Sequence, residues 1–258
     1  MHLIKKIAIA IIFLLFLAGI GFLVYGLFPH APAASCSDGI QNQGEAGVDC
    51  GGPCIDICAN PEELTLFQTK VIPTKEGFVD AFAELRNGNI TFGIPALRYT
   101  FEFYDDANTL ITSRPGVTYI LPNDSKYIVE SAIPVARAAK NVKFTFQPPQ
   151  FKAVKDYIKP RLVALNTASD DELGFTRVRG IIANQTNSSY QSVILTMLLR
   201  DDVDRVVAVN KQEITTLVSN EQRFFDLRWP YKKPFSRSIQ TRVETNIFDD
   251  ANVIRYAP

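Results

Sequence analysis

Residues 97–106 read LRYTFEFYDD, a run in which apolar or aromatic side chains alternate with polar ones before two acidic residues. Successive side chains of a β-strand point to opposite faces of the sheet, so Phe101 and Phe103 would share one face and Glu102 and Tyr104 the other. Asp favours turns because its carboxylate hydrogen-bonds to nearby backbone N–H groups. The run therefore predicts a half-buried strand followed at Asp105 by a turn.

Runs of the same kind fill the chain after residue 61, separated by clusters of Asn, Asp, Gly and Pro. They comprise residues 97–104, 117–121, 127–130, 142–146, 177–183, 190–199, 206–209, 223–227 and 239–245. Short strands with turn signals about every 8–12 residues are typical of β-sandwiches. We therefore predict a mainly β chain with two tandem Ig-like or fibronectin-like β-sandwich domains, over residues 61–150 and 151–258.

The two predicted domains can be aligned with each other at an offset of about 96 residues. Residues 104–106 (YDD) then meet residues 200–202 (RDD), and residues 121–123 (LPN) meet residues 217–219 (LVS). A shared β periodicity would give some of this agreement. The register is kept over many turns, however, which favours an internal repeat.

The segment around Phe101 resembles a known family. Phe101, Phe103, Tyr104 and Asp105 match the F-x-L-Y-D motif of FxLYD-type domains, with Phe103 in the place of the leucine. Residues 197–201 (MLLRD) are the divergent counterpart in the second half. This resemblance, which extends to the related LEA14-like domains, implies small Ig-like or fibronectin-like β-sandwiches that are common on membrane-anchored prokaryotic proteins, and it implies no catalytic residue.

Residues 7–28 (IAIAIIFLLFLAGIGFLVYGLF) carry no charge and follow Lys5 and Lys6. A helix of about 20 apolar residues spans a bilayer, and positively charged flanks stay in the cytoplasm. We therefore predict a transmembrane helix over residues 7–28, with residues 1–6 cytoplasmic and residues 29–258 extracytoplasmic. The alternative is a cleaved signal peptide, although the apolar core of such a peptide is usually only about 7–15 residues long.

All four cysteines, Cys36, Cys50, Cys54 and Cys58, follow this apolar segment closely. An even number of cysteines in an oxidising compartment predicts two disulfides, and four cysteines allow three connectivities. Zinc is disfavoured because the spacing contains no pair of C-x-x-C motifs. Residues 29–60 are therefore predicted to form a disulfide-bridged stalk.

The stalk also offers oxygen ligands at short intervals. Asp38, Asn42, Glu45 and Asp49 form a candidate calcium site, although their spacing is not that of an EF-hand. The alternative is a solvated acidic turn. The sequence CSDGIQNQGEAGVDCGGPC resembles a short module of bacterial and archaeal surface proteins, a resemblance that implies no activity. No other cofactor is expected.

Several enzyme classes conflict with the composition. The only histidines, His2 and His30, lie outside the predicted β domains, which removes a Ser-His-Asp triad and a histidine-ligated zinc site from them. The chain has no P-loop and no dinucleotide-binding glycine motif. Most acidic residues fall in predicted turns, so we predict that the protein is not an enzyme.

One loop combines aromatic and basic residues. Trp229, Tyr231, Lys232, Lys233 and Arg237 form a candidate contact with an anionic polymer or with lipid headgroups. The alternative is a proline-bounded loop whose tryptophan packs on the sandwich.

These features predict a non-catalytic, single-pass membrane-anchored envelope protein that displays two β-sandwich modules for binding, scaffolding or envelope-complex assembly. Its expected partners are the lipid bilayer, through residues 7–28, and another envelope protein or a cell-wall component. Nucleic acid is not expected, because the domains are predicted to lie outside the cytoplasm. The alternatives are a carboxylate-dependent polysaccharide-acting enzyme and a purely structural spacer.

Overall fold

The computed structural model describes residues 2–27, 36–42, 44–45, 47–50, 52–54, 61–154, 157–172, 174–231 and 238–254. The chain divides into two compact units, Met1–Asn60 and Pro61–Pro258. The described part is mainly β, as predicted, and every pairing between its strands is antiparallel.

The first unit contains one helix, α1 (His2–Leu27). Several of its side chains, including those of residues 8–10 and 21–27, lie outside the described part of the chain, as does residue 28. Within the described part, no helix is long and apolar enough to cross a membrane. The transmembrane helix over residues 7–28 is therefore not confirmed and stays a prediction.

The described residues of the second unit form two successive sets of seven strands. The first set comprises β1 (Thr65–Pro73), β2 (Phe78–Asn87), β3 (Phe92–Tyr104), β4 (Leu110–Ile120), β5 (Asp124–Pro134), β6 (Asn141–Phe146) and β7 (Lys152–Ala153). The second set comprises β8 (Leu162–Glu172), β9 (Phe175–Asn184), β10 (Ser189–Arg200), β11 (Val206–Leu217), β12 (Gln222–Trp229), β13 (Ser238–Glu244) and β14 (Val253–Ile254), with a 3₁₀ turn at Asp250–Asn252.

The second set repeats the connectivity of the first, strand by strand. The first set forms one sheet in the order β1-β2-β5 and another in the order β4-β3-β6, with β7 paired to β3. The second set forms the sheets β8-β9-β12 and β11-β10-β13, with β14 paired to β10. The correspondence between the halves that the sequence predicts is therefore present in the pairing of the strands.

Equivalent turns repeat as well. The backbone N–H of Thr109 donates to Asp105 Oδ1 at 2.7 Å, and the N–H of Arg205 donates to Asp201 Oδ1 at 2.8 Å. Three residues after each aspartate, the backbone adopts a positive φ, of 58° and 62° respectively. The acidic residues that the sequence places in these turns thus satisfy backbone donors, as their composition predicts.

Each set has its own apolar core. The inward faces of β2, β3 and β5 supply most of the first core, which includes Phe101 and Phe103. The second core is built around β9, β10 and β12 and includes Trp229 and Phe225. Gly180 allows close packing there, because a Cβ atom at this position would lie 2.8 Å from the Phe225 ring.

A third apolar cluster joins the two sets, and we call the region around it the junction. The first set contributes the outer face of β1, β2 and β5, and the second set contributes the outer face of β10 and β11. The cluster consists of Ile72, Phe82, Tyr127, Val129, Leu198, Val206 and Val209. Residues 61–258 accordingly form one compact unit, and the division into two domains near residue 150 stays a prediction.

Candidate functional site at the junction

One of the predicted disulfides is present, whereas the stalk over residues 29–60 stays a prediction. Cys36 and Cys54 form a disulfide, with their Cα atoms 5.6 Å apart. Cys50 is also disulfide-bonded. Cys58 lies outside the described residues. The observed bond closes the whole of the acidic segment between Cys36 and Cys54 into one loop, which stabilises the loop by restricting the unfolded chain.

The candidate calcium ligands bind groups of the loop itself. Asp49 accepts hydrogen bonds from the backbone N–H groups of Asp38 and Gly39, at 2.9 and 3.0 Å. Glu45 accepts from the N–H groups of Asn42 and Asp49, at 3.2 and 3.3 Å. These contacts give the carboxylates a role in holding the loop, whereas the calcium site stays a prediction.

One described group of potential metal ligands lies in this loop. The ligand atoms of Cys36, Glu45 and Cys54 lie within 4.8 Å of one another. The two sulfur atoms are bonded to each other, however, so neither is available as a thiolate. The short approach of Glu45 Oε1 to Cys54 Sγ, at 3.1 Å, is a packing contact because a disulfide sulfur has no proton to donate.

The residues of the FxLYD-like motif contribute to the first core and to the turn after β3. Phe101 and Phe103 are fully buried in the first core. On the opposite face, the Tyr104 hydroxyl donates to Glu102 at 3.0 Å, as the alternation of the strand predicts. Asp105 closes its turn and forms an ion pair with Arg137 at 2.9 Å. The motif thus builds the strand and the turn that follows it.

Of the two aromatic residues of the candidate anionic contact, Trp229 is buried in the second core and Tyr231 is partly buried against it. Trp229 is 1% exposed, and its indole N–H donates to the carbonyl of Val209 at 2.9 Å. The Tyr231 hydroxyl donates to Asp80 Oδ2 in the other strand set, at 2.7 Å. Trp229 therefore contributes to the core rather than to an exposed anionic contact, because its ring completes the packing of β12. Lys232, Lys233 and Arg237 lie outside the described residues.

The junction buries charged side chains from both strand sets. The ammonium of Lys126 on β5 pairs with the carboxylate of Glu244 on β13, and the two side chains are only 7% and 2% exposed. Burial lowers the pKa of Lys126, while the charge of Glu244 opposes that shift. A buried pair of this kind is costly to break, because each charge depends on the other for compensation.

Asp124 is a second charged link in the junction. Its carboxylate accepts a hydrogen bond from Lys159 Nζ at 2.7 Å and also forms an ion pair with Arg242 of β13. The guanidinium of Arg242 lies 5.5 Å from the centre of the Tyr127 ring, and the Tyr127 hydroxyl accepts a hydrogen bond from Gln240 at 2.8 Å. Polar contacts therefore surround the apolar cluster along β13.

Glu130 forms the third link. Its carboxylate accepts from the Tyr99 hydroxyl at 2.8 Å and from Arg114 at 2.9 Å, and Lys211 of the other strand set lies 3.4 Å away. Burial by itself raises the pKa of Glu130, but the hydrogen bonds from Arg114 and Tyr99 and the charge of Lys211 outweigh it, so the pKa is lowered from 4.5. The carboxylate is thus stabilised in its charged form.

A groove of about 450 Å³ opens between the two strand sets beside these charges, and we call it the junction groove. Residues of both sets line it, including Tyr99, Val117, Tyr119, Lys126, Lys211, Glu213 and Glu244. Its walls combine aromatic rings with two ammonium groups and two carboxylates, a composition that fits a ligand site.

These contacts bear on the rival prediction of a polysaccharide-acting enzyme. The acidic residues are not all in turns, since Glu130 and Glu244 lie on junction strands. A general acid in glycoside hydrolysis needs a raised pKa, however, whereas the pKa of Glu130 is lowered. The carboxylate of Glu244 forms an ion pair with the ammonium of Lys126. Glu130 therefore does not match the general acid of a glycoside hydrolase, and the enzyme alternative stays a prediction.

The amino-acid sequence alone does not indicate the junction. Lys126 and Glu130 flank the apolar run of residues 127–129 on β5, and a charged side chain that is buried beside such a run is expected to be paired. The partners lie far away in the chain, at Lys211 and Glu244, and nothing in the spacing indicates them. The sequence therefore indicates that Lys126 and Glu130 will be paired, but it does not indicate with which residues.

Comparisons with known proteins do not place the chain in a family. No protein-family model matches the chain, and no match is found among the curated proteins. The likeness to FxLYD-type domains thus rests on the residues that carry it.

Glu130 gives a prediction for the dependence of stability on pH. A carboxyl group whose pKa is lowered by folding stabilises the protein above its unfolded pKa, near 4.5, and this contribution is lost as the pH falls below that value. We expect Glu130→Gln to lower the free energy of unfolding at neutral pH. The difference in this free energy between the variant and the wild type should become smaller toward about pH 3. Urea midpoints measured between about pH 3 and pH 7 test this, and a constant difference across that range would contradict it.

Proposed function

We propose that the chain is a non-catalytic, single-pass membrane-anchored envelope protein. In this proposal residues 7–28 anchor it in the bilayer, and the disulfide loop follows the anchor in the sequence and precedes the β-rich unit. The two strand sets are Ig-like or fibronectin-like β-sandwich modules of the FxLYD type, displayed outside the cytoplasm. They act as one scaffold for binding another envelope protein or a cell-wall component.

The observation that carries the proposal is the junction. Domains within one chain move relative to each other by default, unless their interface is substantial and apolar. Here an apolar cluster of seven residues is flanked by the buried pair Lys126–Glu244 and by the contacts of Asp124 and Glu130. Such a junction holds the two modules in a fixed arrangement, which suits a scaffold that presents a defined surface.

Crosslinking in the cells that make the protein tests the binding role. We expect the tagged full chain to give reproducible crosslinked species with an envelope protein or a cell-wall polymer. Lys126→Ala serves as the comparison, because loosening the junction should reduce the yield of these species if the fixed arrangement matters. If the wild-type chain crosslinks to nothing in the envelope, the binding role fails and a structural spacer remains.

Protease protection tests the topology separately. In spheroplasts, residues 61–258 should be digested by externally added protease, and a tag placed before residue 7 should be protected. The opposite pattern, or release of the β-rich unit into the medium, would contradict a retained anchor with a cytoplasmic N-terminus.

A further inference from the structure

Two residues that line the junction groove, Tyr119 and Glu244, carry buried polar atoms without a hydrogen-bond partner, and Arg242 and Tyr157 lie near them. Among the described residues, Glu244 Oε2, Arg242 Nε, Tyr119 OH and Tyr157 OH are buried and make no hydrogen bond. Arg242 Nε lies 3.8 Å from Glu244 Oε2, which is beyond hydrogen-bond distance. Buried polar groups almost always have a partner, so four such atoms together call for a bound molecule.

The two tyrosines belong to the same polar environment. Burial is the main cause that raises the pKa of Tyr119, and it raises that of Tyr157 to about 12; the negative charge of Glu244 adds to both shifts. Both hydroxyls therefore keep their protons at physiological pH. Each can donate one hydrogen bond and also accept one.

The donor and acceptor set indicates the chemistry of the bound molecule. Glu244 Oε2 only accepts and Arg242 Nε only donates, while the two tyrosine hydroxyls do both. The groove walls balance Lys126 and Lys211 against Glu213 and Glu244, so they favour neither an anion nor a cation. A neutral molecule whose groups both donate and accept meets these demands.

From this geometry, we propose that the junction groove binds a neutral polyhydroxylated ligand, namely a sugar unit of a glycan. Sugar hydroxyls donate and accept at once, and the apolar face of a sugar ring can pack against the tyrosine rings of the walls. A volume of about 450 Å³ falls within the usual range of small-molecule sites. The inference rests on the proposed binding role and adds to it a place and a ligand class.

Binding in this groove has a consequence for stability. Both strand sets line the groove, so the ligand contacts the folded junction and has no equivalent site in the unfolded chain. A ligand that binds only the folded state raises its stability in proportion to the logarithm of its concentration above the dissociation constant. Glycan binding should therefore raise the unfolding temperature.

The test uses the full chain in detergent micelles with four neutral probes, which are cellotetraose, maltotetraose, mannotetraose and the N-acetylglucosamine tetramer. We expect at least one probe to bind in titration calorimetry and to raise the unfolding temperature. Tyr119→Phe removes a hydroxyl that has no protein partner, so it should leave the fold intact while weakening binding about tenfold, as for one lost hydrogen bond.

Tyr104→Phe is the matched control, because its hydroxyl bonds to Glu102 away from the groove. This variant should bind the same probe as the wild type does. Failure of all four probes to bind, equal binding by Tyr119→Phe, or preference for a charged sugar would overturn the proposal and leave ordered water in the groove. Crosslinking to a protein partner that persists in Tyr119→Phe would show that the broader binding role survives such a failure.

Discussion

Lys126→Ala is expected to lower the free energy of unfolding by about 3–5 kcal/mol, since removing one partner of a buried ion pair leaves the other charge uncompensated. The carboxylate that would be left is Glu244, whose side chain is 2% exposed. The loss would fall on the junction rather than on either core. Urea unfolding of the full chain in detergent micelles measures it, with the fluorescence of the only tryptophan, Trp229, as the probe.

Two comparisons make this prediction specific to the buried pair. Arg205→Ala breaks an ion pair with Asp201 in which the arginine side chain is 70% exposed, and it should cost about 1 kcal/mol or less. The double variant Lys126→Met/Glu244→Leu removes both charges of this pair and should recover most of the loss, because neither member is left without its partner. Equal losses in Lys126→Ala and Arg205→Ala would show that the pair does not hold the junction.

Asn184→Ala is expected to lower the free energy of unfolding by about 1–3 kcal/mol, because it removes two hydrogen bonds to partly buried carbonyls, worth about 0.5–1.5 kcal/mol each. Asn184 is 1% exposed, and its side-chain amide donates to the carbonyls of Ser188 and Val218, at 2.8 and 2.9 Å. Its side-chain oxygen accepts from Thr186. One side chain thus fastens the end of β9 to two separate loops.

The internal repeat supplies a second site for the same experiment. Asn87 stands at the equivalent end of β2 and donates to the carbonyls of Phe92 and Leu121, at 2.7 and 3.0 Å. Asn87→Ala should therefore have a similar effect, whereas Asn141→Ala, at an exposed position, should have little. In both buried variants, tryptophan fluorescence and far-UV circular dichroism should report one midpoint. Separate midpoints would show that the two strand sets unfold independently.

The sequence predicts the strands and turns of this chain well, because local physics determines them. Alternation placed Phe101 and Phe103 on the buried face of β3, and composition placed Asp105 and Asp201 in turns. The correspondence between the two halves, which the alignment of their sequences predicts, also appears in the pairing of their strands. Each of these features depends on residues that are close together in the chain.

The candidate site could not be predicted in the same way. Whether Trp229 lies in the core or in an exposed contact depends on how β12 packs, and the alternative with a packed tryptophan is the one that the structure supports. The pairing of Lys126 with Glu244 joins residues that are 118 positions apart. A single sequence contains the two charges but no sign of which ones will meet.

The junction cluster has a further consequence for the number of modules that can be joined in a row. In the first set, Phe82 on β2 and Val129 on β5 are paired in register and form part of the apolar surface on which the second set docks. The same register positions on β9 and β12 of the second set are occupied by Arg179 and Asp226. The outer face of β9 and β12 thus carries charges at these two positions, although Phe224 on the same face is 62% exposed, and it does not repeat the full apolar surface that joins the first two sets.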